Sequence, residues 1–296
     1  MKITPQCVPC LLKRVVFEAE ASRPDRAQAA LKAACKVFAE HYTGKEVSAE
    51  LATLVHKAAY EAIGDKDPYK AMKERANMAA VEVLPEAEGL VEASDDRLGA
   101  AIKVSIIGNI LDFGIEGVGG PERLAKDFGR MFKEGLAVDD THRFRSLISK
   151  GKEVLLFTDN CGEVVFDGLL SKVMREEGAK VFLVVKGEPV LTDATRADVE
   201  KLGIGAMADG VLDTGGFAVG VDLKAMGPEL RTKLEGGGKA DLIISKGMAN
   251  FESFSSSKIG PIAFLMRSKC RPVSEAAGVP HNKSVVVFRT RANADK

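Results

Sequence analysis

Three stretches of the 296-residue chain end an apolar run on side chains that can hold a cation or an anion. The first, "VLLFTDN", stops on Asp159 and Asn160, with Gly162 and Glu163 next. The second, "VFLVVKGEPVLTDAT", carries Lys186, Glu188, Thr192 and Asp193. The third, "DLIISKGMANFE", carries Lys246, Gly247, Asn250 and Glu252. Asp159, Asn160 and Asp193 are oxygen donors, the set that a hard octahedral cation such as Mg²⁺ or Mn²⁺ takes, with waters completing its shell. No His or Cys pair nearby suggests a zinc cage. A cation, a lysine and a helix beginning just after Asn160 would together suit a phosphate group. Each stretch also has a plainer reading. Asp-Asn before a helix is an ordinary N-cap pair. Asp193 could cap the helical pattern "ATRADVEKLG", and Lys246 could sit in a turn. Independent caps would not need oxygen ligands and lysine at the same sheet edge, so the three together favour a site.

The elements that must bring these residues together can be read from periodicity. Up to about residue 150 the chain reads as helices with no β-alternation. "TPQCVPCLLKRVVFEAEAS" opens with Thr4 and Pro5, suited to a first helical turn, and "SAELATLVHKAAYEAIG" ends at Gly64. "GGPERLAKDFGRMFKEG" reads as a loop and a helix start, with neither a P-loop nor a dinucleotide fingerprint. The second half changes character. "EVLLFTDN", "AKVFLVVKG", "ADLIISKG", "PIAFLMRS" and "KSVVVFRT" have the length and composition of buried strands. Between the first two, Val165, Leu169 and Val173, together with Phe166, Leu170 and Met174, fall four apart on one helical face. Strand, helix and strand with a connection of about twenty residues make a parallel βαβ unit. The expected fold class is α/β: an all-helical N-terminal subdomain over residues 1–100, then a three-layer α/β/α Rossmann-like domain over 101–296 with a helical lead-in. In such sheets ligands bind outside the carboxyl ends of the strands, where the polar residues collect.

Composition narrows the classes of function. The formal net charge is zero, Trp is absent and only three Tyr occur, so no nucleic-acid partner is expected. No apolar run approaches a membrane span, the N-terminus lacks the apolar core of a signal peptide, and five cysteines in a long chain are no disulfide framework. A cytoplasmic protein with no membrane partner is expected. Its oligomeric state is not encoded legibly.

The ordered set "CVPCLLKR", "IIGNILDFG", "FTDNCGEVVFD", "VKGEPVLTDAT", "DLIISKGMANFE" and "RPVSEAAGVP" resembles the metal-dependent damage-control phosphatases, long known as domain of unknown function eighty-nine. The chain looks most like their short archaeal and bacterial branch, over nearly its whole length. Residues 211–223 follow the family's Thr-Gly segment only loosely. The resemblance implies a divalent-metal phosphatase, using Mn²⁺, Mg²⁺, Co²⁺ or Ni²⁺, that hydrolyses small phosphate esters such as sugar phosphates or damaged phosphometabolites. It implies Asp159, Asn160 and Asp193 as metal ligands and Lys246 facing the phosphate. Asn109 and Asp112 of "GNILDFG" would complete the pocket from the helical side. Glu163 would support the metal or face the substrate, with Gly162, Gly247 and Asn250 at the substrate. The nucleophile would be water or Asp159 itself, the latter through an aspartyl-phosphate.

Other features have competing readings. Cys7 and Cys10 share a helix face and could pack, bind metal or form a redox pair. Cys161 has no clear general base beside it, and the four histidines, His41, His56, His142 and His281, show no ligand spacing and read as structural. An adenosylmethionine-dependent carboxyl methyltransferase is a rival function, disfavoured by the single glycine in "DNCGE". A non-catalytic metal- or nucleotide-binding module is another.

Overall fold

The computed structural model of the chain describes residues 1–109, 121–235 and 239–290. Asp112 lies outside them. In chain order come α1 (Cys7–Ser22), α2 (Ala27–His41), α3 (Ser48–Ile63), α4 (Lys70–Glu92), α5 (Arg97–Gly108) and α6 (Pro121–Glu134). They are followed by β1 (Val138–Asp139), α7 (Thr141–Phe144), β2 (Glu153–Phe157), α8 (Glu163–Glu176), β3 (Lys180–Val185), α9 (Arg196–Lys201) and β4 (Gly210–Asp213). The chain continues through α10 (Pro228–Glu235), β5 (Leu242–Lys246), α11 (Gly247–Phe254), β6 (Ile262–Arg267), α12 (Arg271–Ala277) and β7 (Ser284–Arg289).

The strands form one sheet in the order β1-β7-β6-β5-β2-β3-β4. All neighbours run parallel except β6 and β7. Alternation along each strand splits the core into two layers. Val154, Leu156, Val181, Leu183, Leu242 and Ile244 face one way, against α4, α5 and α8. Leu155, Phe157, Phe182, Val184, Ile243 and Phe264 face the other, against α10, α11 and α12. This is the expected mixed α/β architecture with helices on both faces of a mostly parallel sheet.

Helices α1 to α3 enclose a separate apolar cluster of Val15, Ala19, Ala30, Ala34, Val55, Ala59 and Ile63. Helix α4 behaves differently, although it lies within the first hundred residues. It buries Ala76, Ala80, Val83 and Ala87 in the layer shared with α5 and α8. A third contact ties the helices to the strand ends, where Ala52 and Tyr69 pack with Val190, Leu191 and Val219.

All five strands read from the sequence are present. Two others were not expected: β1, only two residues long, and β4, whose "GVLD" is half-exposed within a Gly- and Asp-rich stretch. Neither is long or apolar enough to show a period of two.

Between β2 and β5 the strand order reverses. The chain leaves β2 toward β3 and β4, then returns to build β5 and β6 on the other side. A crevice opens at the carboxyl ends of strands at such a point, and Asp159 and Gly247 both lie there.

Candidate active site

The turn after β2 is held open by backbone bonds. Thr158 N–H donates to the Val184 carbonyl, Ala194 N–H to that of Asp159, and Cys161 N–H to that of Thr192. Asn160 and Asp193 thereby pair as an isolated antiparallel bridge, which sets the ends of β2 and β3 side by side. Capping does not account for their side chains. Helix α8 starts from Gly162 with no side-chain cap, and α9 is capped by Thr195 in a reciprocal box with Asp198. Gly162 has φ +77°, and its N–H donates to Asn77 Oδ1 of α4 at 2.6 Å.

The polar side chains form two tiers. In the upper tier, Asn109 Nδ2 and Asn160 Nδ2 both donate to Asp159 Oδ2, at 3.0 and 2.8 Å. The same two amides donate to Glu163 Oε2, at 2.8 and 2.9 Å. Thr192 Oγ1 donates to Asn160 Oδ1 at 2.5 Å. Lys186 Nζ lies 3.3 Å from Asp193 Oδ2 and donates to Asn250 Oδ1 at 3.3 Å and to the Gly220 carbonyl. Asn250 Nδ2 in turn donates to the carbonyls of Thr158 and Lys246, at 3.0 and 2.8 Å.

The lower tier corrects an expectation. Lys246 is fully buried, and its Nζ donates to Glu163 Oε1 at 2.6 Å, Asp167 Oδ1 at 2.5 Å and the Ser105 carbonyl at 3.1 Å. It faces the helical layer and is not among the residues that line the cavity described below. Glu163 and Asp167, four apart on α8, both need a cation there, and the lysine at the end of β5 reaches them. One ammonium against two carboxylates leaves the cluster one negative charge in excess. Burial and Glu163 together push the Asp167 carboxyl up to about 6, despite the opposing pull of Lys246. Burial alone would lower the Lys246 ammonium, but Asp167 and Glu163 raise it above its ordinary value.

Asn250 and Gly162, expected at the substrate, are likewise braces. Asn250 holds Lys186 and the strand end, and Gly162 anchors the turn to α4. Gly247 has a sharper constraint. Its φ is +73°, and a Cβ there would stand 2.0 Å from Asp159 Oδ2. Gly247→Ala therefore forces Asp159 aside, besides the ~1–2 kcal/mol of a left-handed non-glycine residue. Phosphate release should fall on the order of 100-fold, since displacing a reacting group by about 1 Å costs that much. Wild-type turnover by a folded Gly247→Ala protein would show that the position of Asp159 is not critical.

Above the upper tier opens a cavity of about 340 Å³. Asp159, Asn160, Asp193 and Asn109 form its polar floor, and Arg14, Lys269 and Arg271 lie in its wall. Met248 and Ala249, in the first turn of α11, also line it, so a helix N-terminus with its positive dipole end faces the floor. At the start of α8, the Gly162, Val164 and Val165 N–H groups are already bonded within the protein.

The donor chemistry of the floor fits a hard divalent cation: two carboxylates and a carboxamide, all nearly inaccessible except from the cavity. Among the described residues, no three His, Cys, Asp or Glu side chains gather as a metal-holding group, and the floor set is completed by the carboxamide of Asn160. Cys7 and Cys10 line the cavity mouth with Cys270, whose thiol burial pushes up to about 12. Burial raises the Cys161 thiol well above its ordinary value, which disfavours it as a nucleophile.

The sequence matches the model of the damage-control phosphatase ARMT1-like domain over residues 3–285. The chain belongs to the ARMT1-like damage-control phosphatase family. Family members of known sequence align along almost its full length. A damage-control phosphatase of Archaeoglobus fulgidus is 42% identical over 282 residues, spanning 94% of this chain and 96% of that one. A damage-control phosphatase of Pyrococcus horikoshii is 30% identical over 283 residues, spanning 95% and 96%. The crystal structure of a DUF89 family protein from Pyrococcus horikoshii superposes with a TM-score of 0.84, at 30% identity, covering 97% of this chain and 99% of that one.

Lys186 and Asp167 were visible in the sequence but not assigned. The spacing of Glu163 and Asp167 on α8 was the available signal for a buried cation between them. Arg14, Lys269 and Arg271 carried none, because they come from α1, from the β6–α12 connection and from the start of α12.

Proposed function

We propose that the protein is a divalent-cation-dependent phosphatase that hydrolyses small phosphate monoesters. The observation that carries this reading is the convergence of Asp159, Asn160 and Asp193 on the floor of a cavity whose wall holds Arg14, Lys269 and Arg271. Asp159, Asn160 and Asp193 would hold the cation, which when bound supplies Lewis-acid polarisation of the phosphoryl oxygens. Lys186, 3.3 Å from Asp193, fixes that carboxylate. Asn109 and Asn160 fix Asp159 in one orientation through its Oδ2. The arginines, Lys269 and the α11 N-terminus oppose the negative charge of the phosphoryl group as its bond to the ester oxygen lengthens. A cavity of about 340 Å³ limits the substrate to a compact ester, in keeping with a sugar phosphate or a similar phosphometabolite.

The test is phosphate release from sugar phosphates, nucleotides and p-nitrophenyl phosphate, with Mg²⁺, Mn²⁺, Co²⁺ and Ni²⁺ in turn. Turnover should vanish with a chelator and return when the cation is restored. Silence across the whole set, or turnover indifferent to chelation, contradicts the reading.

A further inference from the structure

His56, in the middle of α3, has the spacing of a packed helix residue, but the structure gives it another setting. Its ring is buried from solvent yet lines the cavity floored by Asp159, Asn160 and Asp193. Nδ1 lies 2.8 Å from Oε1 of Glu18, a fully buried side chain on α1, in contact but not in line for a hydrogen bond. That side chain is itself held, since the Tyr69 hydroxyl donates to Glu18 Oε1 at 3.5 Å and Arg14 Nε donates to Tyr69 at 3.4 Å. Nε2 is buried with no hydrogen-bond partner among the described residues. A buried polar nitrogen left without a partner costs stability, so such a group calls for a role or a ligand. One turn along α3, the Tyr60 oxygen accepts from Leu191 N–H at 3.0 Å, two residues before Asp193. Helix α3 is therefore registered against the very segment that carries a floor carboxylate.

We propose that His56 is a catalytic residue that protonates the ester oxygen as it leaves phosphorus. This rests on the phosphatase reading above. With the phosphoryl group on the floor, the organic part of the ester occupies the rest of the cavity, where His56 stands. Glu18, 2.8 Å from Nδ1, is the positioning residue, and Nε2 is the ring nitrogen left for the ester oxygen. As the P–O bond breaks, its electron pair passes to the ester oxygen, which takes the proton from Nε2. Directly or after transfer through Asp159, the phosphoryl group ends bonded to the oxygen of a water molecule, and the proton that water gives up restores the imidazole through solvent. Water is consumed, and an alcohol and inorganic phosphate are released. Arg14 and Arg271 share the wall but do not release protons, whereas imidazoles commonly serve as general acids near neutrality.

Leaving-group dependence tests this. His56→Gln and wild type are compared on p-nitrophenyl phosphate and on a simple alkyl phosphate, both with Mn²⁺. An alkoxide needs a proton as it leaves; p-nitrophenolate needs one far less. The rate on the alkyl ester should fall on the order of 100-fold, with the p-nitrophenyl ester losing at least about tenfold less. Glu18→Gln should move the ratio of the two rates in the same direction by a smaller factor. Partial misfolding lowers both rates alike and leaves that ratio unmoved, and His56→Asn should repeat the shift. Equal losses on both esters, or none on either, overturn the role of His56 while the phosphatase reading stands. A wild-type protein inactive on both esters and silent on the sugar phosphates and nucleotides as well overturns the two together.

Discussion

Asp193→Asn should reduce cation-dependent phosphate release at least about a hundredfold while the protein stays folded. The substitution keeps the shape and one oxygen donor but removes a negative charge from the floor. Loss of groups that merely orient a metal ligand commonly costs 10–100-fold, and loss of a ligand's charge should cost no less. Asp193 lies 3.3 Å from the ammonium of Lys186, so an alanine there would also strand a buried cation and confuse a site defect with unfolding. Asparagine limits that damage, because Lys186 keeps the Asn250 carboxamide oxygen and the Gly220 carbonyl. A second measurement needs no turnover. A cation that binds only the folded protein raises its melting temperature by mass action, about 2.7 kcal/mol at a hundred times the dissociation constant. Wild type should show that rise with Mn²⁺, and Asp193→Asn should show little of it. If the variant kept both the rise and the turnover, Asp193 would hold no cation. Acid-quench trapping of labelled phosphate on the wild-type protein then distinguishes attack by Asp159 from attack by water, since only the former leaves phosphate on the chain.

The parts of the site legible in the sequence are those that one strand end announces by itself. Asp159, Asn160 and Asp193 follow long apolar runs, and strand ends of a parallel sheet are where ligands bind. Their convergence depends on β2 and β3 being adjacent, which the short βαβ connection implies. What the sequence did not disclose is direction. Lys246 ends β5 as plainly as Asp159 ends β2, yet its side chain enters the helical layer while that of Asp159 meets the cavity. That choice is set by two carboxylates on α8, which no local pattern around Lys246 records. The cavity wall was hidden for a related reason. Arg14 comes from α1, His56 from α3 and Lys269 from the segment after β6, elements whose packing depends on apolar clusters distant in sequence. Helix α4 illustrates the same limit. Its pattern reads simply as helix, and only the structure shows it sharing a layer with α5 and α8 while Asn77 anchors the turn beside Asp159.

Lys246→Met should destabilise the protein by ~3–5 kcal/mol, the range for breaking a buried ion pair from one side. Methionine fills the same channel, so the loss is electrostatic. It leaves Glu163 and Asp167 facing each other in a fully buried site, with Ser105 the remaining donor to Asp167. The deficit has a pH signature whose sign follows from Asp167. Its folded value is raised to about 6 from 3.8, so its contribution to stability is complete below about 3.8 and is lost as pH rises through about 6. Removing the ammonium that opposes this rise pushes the carboxyl higher still. The variant should therefore approach wild type near pH 4 and fall further behind it toward pH 7. Neutralising the partners in the same protein, as Glu163→Gln and Asp167→Asn together with Lys246→Met, should recover much of the loss at neutral pH, because no unpaired charge remains. Turnover should not recover with it. Glu163 Oε2 accepts from both Asn109 and Asn160, the amides that also orient Asp159, and the neutral oxygen of glutamine holds those two N–H donors more weakly than a carboxylate does. Chemical denaturation of the three proteins at pH 4.5 and pH 7 measures each step. A loss below about 1 kcal/mol, or one that does not change with pH, would mean that Lys246 carries no net charge in this cluster and that the two tiers are not electrostatically coupled.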